Sequence, residues 1–377
     1  MGTGSGGDST IITSDIVAKE SLIALANNLV LGSLTYRAFE PEFQKGRGST
    51  ITIRKPATFT SGTVAEGTIN AATVTESSVQ VVLEHLLDLS PEISTLELSL
   101  DIVDLRRQVI EPIVQAHAQL VDETIAARYV DLYGHYPVSA TPAVSDVAGA
   151  RAVANILKMP SADRALVLHP VTEADYISLN AFLNAEKRGD TQAVKNANMG
   201  HLLGVEWFMD QNIPTHTGGD MADSEGALKG SLAVSCGTAT IDAVTDSGTV
   251  LAGDVFKVTG YDEWFVVSTN ATASAATLTV VFTPVTGQGM ADNAVVTFQK
   301  SHRGNMLFHK NCFALATAPL ATPIGGVDWA VESWEGLSMR VVYGYTQTSK
   351  RNMISVDMLF GVKTLDAALG VRLVDAR

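Results

Sequence analysis

The chain has 377 residues, 46% apolar and 18% charged, with a formal net charge of −14. That length and apolar content can bury a substantial core over two or three structural units, which excludes a disordered chain. The acidic balance and the absence of a Lys/Arg run exclude sequence-nonspecific nucleic-acid binding through a basic face, which needs clustered cations against phosphate. The two cysteines, Cys236 and Cys312, match no metal spacing and fit a reducing compartment. No basic and apolar leader opens the sequence and no uninterrupted apolar run of about 18 residues exists, so neither a secretory signal nor a transmembrane helix is expected.

Residues 1–8 are Gly/Ser-rich and are expected to be flexible. Thr13, Ser14 and Asp15 offer helix caps, and Ile16, Leu22, Ile23, Ala26, Leu29 and Val30 predict a short amphipathic helix ended by Gly32 and Ser33. Thr50–Arg54 alternates as a strand closed by Lys55-Pro56. After a Thr/Ala/Gly/Ser stretch over 58–73, Val79, Val81, Leu83, Leu87 and Leu89 alternate with polar residues. Together they predict a long hairpin, whose apolar side needs something to rest on because an isolated hairpin is only marginally stable.

Ser99–Gly134 then carries Ile102, Leu105, Val109, Ile113, Ala116, Leu120, Thr124, Ala127 and Val130 at helical spacing. Asp104, Arg107, Glu111, Gln115, Asp122 and Glu123 fall on the other side, and Gly134 is a plausible stop. A helix of this length spans roughly 50 Å. It reads either as an ordinary core helix, or two, or as a strut carrying surfaces on either side. Pro112 interrupts the pattern and is expected to kink or restart the helix near Arg107–Gln108.

The following part is α/β. Helices are expected over 148–157 and 172–185, with a buried strand at Ala165–His169, a charged turn at Lys187–Asp190 and another strand over Leu202–Phe208. From about Gly226 to Gln299 the composition shifts to Val, Thr, Ala, Gly, Ser and Asp. Short strands are expected at 232–234, 239–241, 255–258, 264–267, 278–282 and 294–298, with turns at Asp246-Ser247-Gly248 and Leu251–Asp254. That spacing predicts a small β-barrel or sandwich, inserted between two α/β stretches. The end is antiparallel: alternation over 337–345, a strand over 352–360, a turn at Gly361 and a last strand over 368–374.

No catalytic constellation emerges. The eight histidines form no HxxxH or HExxH pair and no GxSxG is present. Gly2–Gly7 lacks both the preceding strand and the following Lys-Ser/Thr of a phosphate loop. Cys312 lies in an apolar strand, where a buried thiol is the default. Asp254 and Asp262 are weak calcium candidates, being scattered loop aspartates.

Several stretches together resemble the major capsid (coat) protein of tailed bacteriophages. They are Asp15–Leu22, Gly48–Ile53, Gly204–Phe208 through Pro214–Gly218, Leu251–Phe256, Phe308–Ala316 and Val356–Lys363, in that order along nearly the whole chain. The resemblance implies an α+β, Hong Kong 97-type capsid fold, of the short-tailed-phage kind with an inserted all-β barrel, the I-domain. It assigns 1–47 to an N-arm, 48–93 to an E-loop hairpin, 94–134 to a spine helix and 135–163 with 326–377 to a peripheral domain. It assigns 164–220 with 305–325 to an axial domain and 221–304 to the insert.

It further implies a homo-oligomer of hexamers and pentamers around double-stranded DNA, expansion on maturation and a virion assembled in the host cytoplasm. A scaffolding protein, a portal protein and a decoration protein are the implied partners. No enzyme activity, cofactor, metal, membrane or sequence-specific nucleic acid is implied. Candidate intersubunit contacts are Arg54, Lys55, Glu66 and Glu84 on the hairpin, with Arg106, Arg107, Lys187, Arg188 and Asp190 as partners, and Pro112 is the candidate hinge. The competing readings are an encapsulin-type nanocompartment shell and a β-rich tail or adhesion binding protein.

Overall fold

The computed structural model describes residues 14–37, 50–55, 77–94, 109–132, 134–139, 141–183, 199–323, 327–334, 336–346 and 351–376. The Gly/Ser-rich start, the hairpin tip over 58–73, the first part of the long helix and the Lys187–Asp190 turn lie outside these residues.

Helix α1 (Ser14–Asn28) carries Asp15 in its first turn, where the positive end of the helix dipole favours an acid. It buries Val17, Ala18, Ser21, Leu22 and Leu25, whereas Ile16 and Ile23, expected to face inward, are 42% and 51% exposed. Gly32 and Ser33 do not end helical structure; they sit inside a further turn, α2 (Leu31–Leu34). Strands β1 (Thr50–Lys55) and β2 (Ser77–Val82) form an antiparallel ribbon from Thr50↔Val82 to Lys55↔Ser77. The single strand expected over 79–89 is broken at Leu83-Glu84, and β3 (His85–Leu89) and β4 (Glu92–Ser94) pair instead with a strand near the C-terminus. The break lets one stretch of chain serve two different sheets.

Helix α3 (Glu111–Ala126) follows a π turn at Val109-Ile110 and runs into a 3-10 turn over Ala127–Asp131. Pro112 is the second residue of α3, which directly follows the π turn. The buried side is Ile110, Ile113, Val114, His117, Ala118, Val121, Asp122, Ile125 and Ala126. It is therefore rotated by about one residue from the expected stripe: Ala116 and Leu120 are exposed and Asp122 is buried. The physical reason lies at Asp122. Its Oδ2 accepts from the Val30 N–H (2.7 Å) and its Oδ1 from the Gly32 N–H (2.8 Å). The carboxylate thereby satisfies the open amides that begin α2. Burial pushes the Asp122 carboxyl up to about 7. Gly134 does not stop the helix. It opens β5 (Gly134–Pro137), where a Cβ would meet the Gly370 carbonyl at 2.6 Å.

Helix α4 (Val144–Ile156) is anchored by Asp146, which accepts from the Ala143 N–H and the Ser139 hydroxyl. Strand β6 (Arg164–Leu168) is fully buried, and Pro170 stands at the first position of α5 (Pro170–Ile177), followed by α6 (Asn180–Leu183). Strands β7 (His201–Leu202) and β8 (Val205–Met209) are joined by a two-residue turn with positive φ at both Leu203 and Gly204, the conformation a tight hairpin demands.

Strand β9 (Thr215–His216) leads to the insert. Its strands are β10 (Glu225–Leu228), β11 (Thr238–Asp242), β12 (Thr249–Val250), β13 (Val255–Val258), β14 (Trp264–Val267), β15 (Ala271–Thr272), β16 (Thr277–Thr283) and β17 (Val295–Phe298). Of the expected strands, 232–234 is reduced to one bridge between Leu232 and Met290. The chain then forms β18 (His302–His309), β19 (Phe313–Ala318), β20 (Asp328–Trp334), β21 (Leu337–Thr346), β22 (Arg351–Thr364), a 3-10 turn at Ala367–Leu369 and β23 (Gly370–Asp375).

These elements divide into two units. The first draws on Met1–Leu29, Arg37–Gln119 and Ala314–Lys363. Its sheet runs β19-β22-β21-β20, with β3 and β4 also on β22, and α1 packs on β20 and β21. Asp357 and Asp88 lie directly opposite each other across β22 and β3, a repulsive placement for two carboxylates. Arg340, opposite Asp357 on β21, offsets it with Nε 2.9 Å from Oδ2, and the Ser355 hydroxyl lies within hydrogen-bond reach of both acids.

The second unit draws on Val30–Tyr36, Leu120–Phe313 and Thr364–Arg377. Its main sheet runs β5-β23-β18-β6-β8-β7, with β9 on β18, and includes the parallel pairs β6–β8 and β5–β23. Within the same unit β10-β11-β16-β14-β13-β17 close into a barrel. Its core is apolar, with Phe256, Phe265 and Phe282 in mutual ring contact and Phe298 against Phe256. The resemblance groups 135–163 with 326–377; strand pairing instead joins 134–137 and 370–375 to 164–168, 205–209 and 302–309. Among the described residues no helix is long and apolar enough to cross a membrane.

Gly361 lies inside β22, where a turn was expected. A Cβ there would meet the Val82 carbonyl oxygen at 2.1 Å, and backbone atoms cannot yield as a flexible side chain can. Gly361→Ala is expected to lower stability by about 2 kcal/mol in urea unfolding, the scale of an overpacked core. Gly344→Ala on β21, whose Cβ meets only ordinary contacts with Met353, is expected to stay within about 0.5 kcal/mol of the parent.

Candidate functional site

The densest polar chemistry among the described residues lies in the second unit, on the chain entering and leaving the barrel. The β9–β18 register sets His216 directly opposite His302. The β5–β23 register sets His135 beside Arg372. Gly253 adopts φ +98°, and a Cβ there would press on Val130 (2.8 Å) and His216 (3.2 Å), so glycine lets the Leu251–Asp254 turn approach both.

Tyr129 Oη and His216 Nδ1 are 2.5 Å apart, and His216 Nε2 lies 2.7 Å from Asp254 Oδ1. Burial pushes the Tyr129 hydroxyl up to about 12, so it keeps its proton and donates. The network thus assigns the His216 proton to Nε2, which donates to Asp254. Asp254 Oδ2 accepts from the N–H groups of Gly219 (3.1 Å) and Leu251 (2.8 Å). Arg372 is fully buried, with Nη1 donating to the Gly253 carbonyl (2.8 Å) and Nη2 to the Val130 carbonyl (2.6 Å). Its guanidinium lies over the Tyr129 ring at 5.2 Å. Burial brings Arg372 down to about 10, which still leaves it cationic at neutral pH.

Two further histidines complete the cluster. The His302 ring lies 5.0 Å from His216, and its Nδ1 donates to the Lys300 carbonyl (2.9 Å). Its Nε2 is buried with no hydrogen-bond partner, and burial brings the ring down to about 4. His135 packs at 4.0 Å against Trp264 of β14, with neither ring nitrogen partnered, and burial holds it well below the usual histidine range.

A Tyr–His–Asp chain is also the geometry of a proton relay. Here Tyr129, His216 and Asp254 are each only 6% exposed, so the relay is closed to a substrate. Its chemistry is that of a fastening, tying the end of the α3 helical segment, the entry to the insert, a barrel turn and the C-terminal strand. Asp254, a weak calcium candidate in the sequence, has both oxygens committed to these bonds. Among the described residues no group of three or more His, Cys, Asp or Glu is arranged to hold a metal.

The intersubunit candidates read from the sequence do not converge on this cluster. Arg54 and Lys55 end β1, opposite Ser78 and Ser77. Glu84 is exposed, with Oε1 3.6 Å from His85 Nε2. Pro112 is exposed near the start of α3. Glu66, Arg106, Arg107, Lys187, Arg188 and Asp190 lie outside the described residues. The cluster itself went unread. His216 and Asp254 sit in Pro214–Gly218 and Leu251–Phe256, stretches that carry the capsid resemblance, but they are 38 positions apart, no local pattern joins them, and Tyr129, His135, His302 and Arg372 come from elsewhere in the chain.

No protein-family model matches the chain, and no curated protein matches it. Among solved structures it is similar to the capsid of cyanophage P-SCSP1u, at 10% identity over 99% of this chain and 92% of that one, with a TM-score of 0.51. It is also similar to a chain of Mycobacterium phage Che8 (14% identity, 92% and 90% covered, TM-score 0.48) and to the capsid of Ralstonia phage GP4 (9%, 87% and 83%, TM-score 0.48).

Removing the buried cation tests the fastening. Arg372→Met strips the donors from two buried carbonyls and is expected to lower stability by about 3 kcal/mol in urea unfolding. Tyr129→Phe, which loses one hydrogen bond, is expected to cost about 1–2 kcal/mol. An Arg372→Met variant within about 0.5 kcal/mol of the parent would show that the cluster fastens nothing. The fold these bonds hold together is the one shared with the cyanophage capsid.

Proposed function

We propose that this chain is the major capsid protein of a tailed bacteriophage, assembling as hexamers and pentamers into an icosahedral shell around double-stranded DNA. The observation that carries the proposal is the fold likeness to the cyanophage capsid over 99% of the chain. The order of sequence features that resembles phage coat proteins supports it independently. So does the closed, buried character of the densest polar cluster, which offers no route to a substrate.

In this reading the β1–β2 ribbon is the base of the E-loop, which lies over a neighbouring subunit. The helix around α3 is the spine. Strands β5, β6, β8, β18 and β23 belong to the axial domain, and the barrel is the inserted I-domain. A scaffolding protein guides assembly, a portal occupies one vertex, and decoration proteins are possible further partners in the virion. The acidic balance suits a shell that DNA must slide into, because a basic lining would hold the phosphates. Pro112, beside the π turn at Val109-Ile110, is where the spine bends when the shell expands.

Expression with and without a co-expressed scaffolding protein, followed by negative-stain electron microscopy and sedimentation, tests the assignment. Closed shells or capsomers are expected, and a chain that stays monomeric in both cases would overturn it. Pro112→Ala shells are expected to close but to expand slowly or incompletely; normal expansion would remove the hinge.

A further inference from the structure

Acid has unequal access to the two parts of the second unit. The barrel core is a hydrophobic cluster: Leu228, Ile241, Phe256, Phe265, Leu278, Phe282 and the residues packed with them include no histidine or carboxylate. The seat of the barrel on the sheet is the opposite, with three histidines and an arginine buried within it. We infer that this seat is an acid-released latch, in which protonation of His302 detaches the barrel from the sheet while the barrel itself stays closed.

The argument rests on what faces His302. Just before its strand the Lys300 carbonyl accepts a hydrogen bond from Nδ1–H, leaving Nε2 buried and unpartnered. From β9 it meets His216 at 5.0 Å. From β23 it faces the Arg372 cation, and from β5 the His135 ring, itself beside Lys257. The one facing carboxylate is Asp254, already engaged by His216 and two backbone amides. A proton on Nε2 would therefore be a second buried cation near Arg372, with no acceptor.

The sign follows. His302 is brought down from 6.5 to about 4 in the docked state, so docking is fully favoured above about pH 6.5 and weakens as pH falls toward 4. Asp122 has the opposite sign. Its carboxyl is raised from 3.8 to about 7, so its contribution is full in acid and lost as pH rises through 7. Acid therefore loosens the latch without loosening the Asp122 clamp on Val30 and Gly32.

Hydrogen exchange of the full chain, read by mass spectrometry from pH 7.5 to 4.5 and normalised to intrinsic rates, tests this whatever the chain's biological role. Exchange at 214–219 and 250–254 is expected to quicken more than about tenfold below pH 6, while β11, β16 and residues 30–32 hold their protection. His302→Phe keeps a ring without a proton site and should move the transition down by about one pH unit. His302→Gln, which keeps a neutral donor for the Lys300 carbonyl, should do the same if the Phe variant does not fold. Two wild-type results would overturn the latch: no change down to pH 4.5, or loss of protection in barrel strands and seat together. A transition that stays at the wild-type pH in a folded variant would overturn the role of His302.

Discussion

A buried guanidinium is costly to desolvate, and Arg372 meets that cost with acceptors at both Nη groups although its buried Nε has none. Arg372 therefore constrains much of the second unit. Its acceptors are backbone carbonyls on two separate segments, Val130 at the end of the 3-10 turn after α3 and Gly253 in a barrel turn. Backbone acceptors cannot swing to meet a donor, so both segments must arrive at fixed positions. Gly253 has no Cβ because Val130 and His216 come within about 3 Å of where one would stand. Asp254, next in the chain, then receives His216, and His216 receives Tyr129, the ring beneath the guanidinium. The arginine and the histidine chain thus close a circuit, each member holding the next in place.

The first unit meets a like-charge problem differently. Asp88 and Asp357 stand opposite each other on neighbouring strands, where Arg340 pairs with Asp357 and the Ser355 hydroxyl lies within hydrogen-bond reach of both acids. Partial solvation makes such an arrangement worth less than a buried one, and easier to lose. Removing one side chain is therefore expected to matter more at Arg372 than at an exposed pair such as Arg351–Glu92.

Much of this architecture is legible in the sequence where one physical signal dominates locally. The barrel strands are readable because alternation and turn residues recur at short intervals, as β16 shows with its strict inward–outward pattern. Strand β6 is readable because a strand covered on both faces is a compact apolar run. The misreadings occur where tertiary partners decide. Asp122 looks like a solvated residue on a polar face until the amides of Val30 and Gly32 are placed against it. Gly361 looks like a turn until the Val82 carbonyl is seen to occupy the space of its Cβ. The 79–89 strand looks continuous because both halves alternate, and only their different partners reveal the break. Of the latch residues only His216 and Asp254 lie in stretches that carry the capsid resemblance; Tyr129, His135, His302 and Arg372 lie outside them, and nothing local pairs a histidine with an aspartate 38 positions away.

The chain is similar in fold to the cyanophage capsid over nearly its whole length at only 10% identity. Such a likeness is possible because many apolar side chains can fill the same sheet or barrel. The Arg372 circuit has the character of a rigid joint: it is buried and the arginine sits on backbone acceptors, so its chemistry acts on the geometry of the second unit.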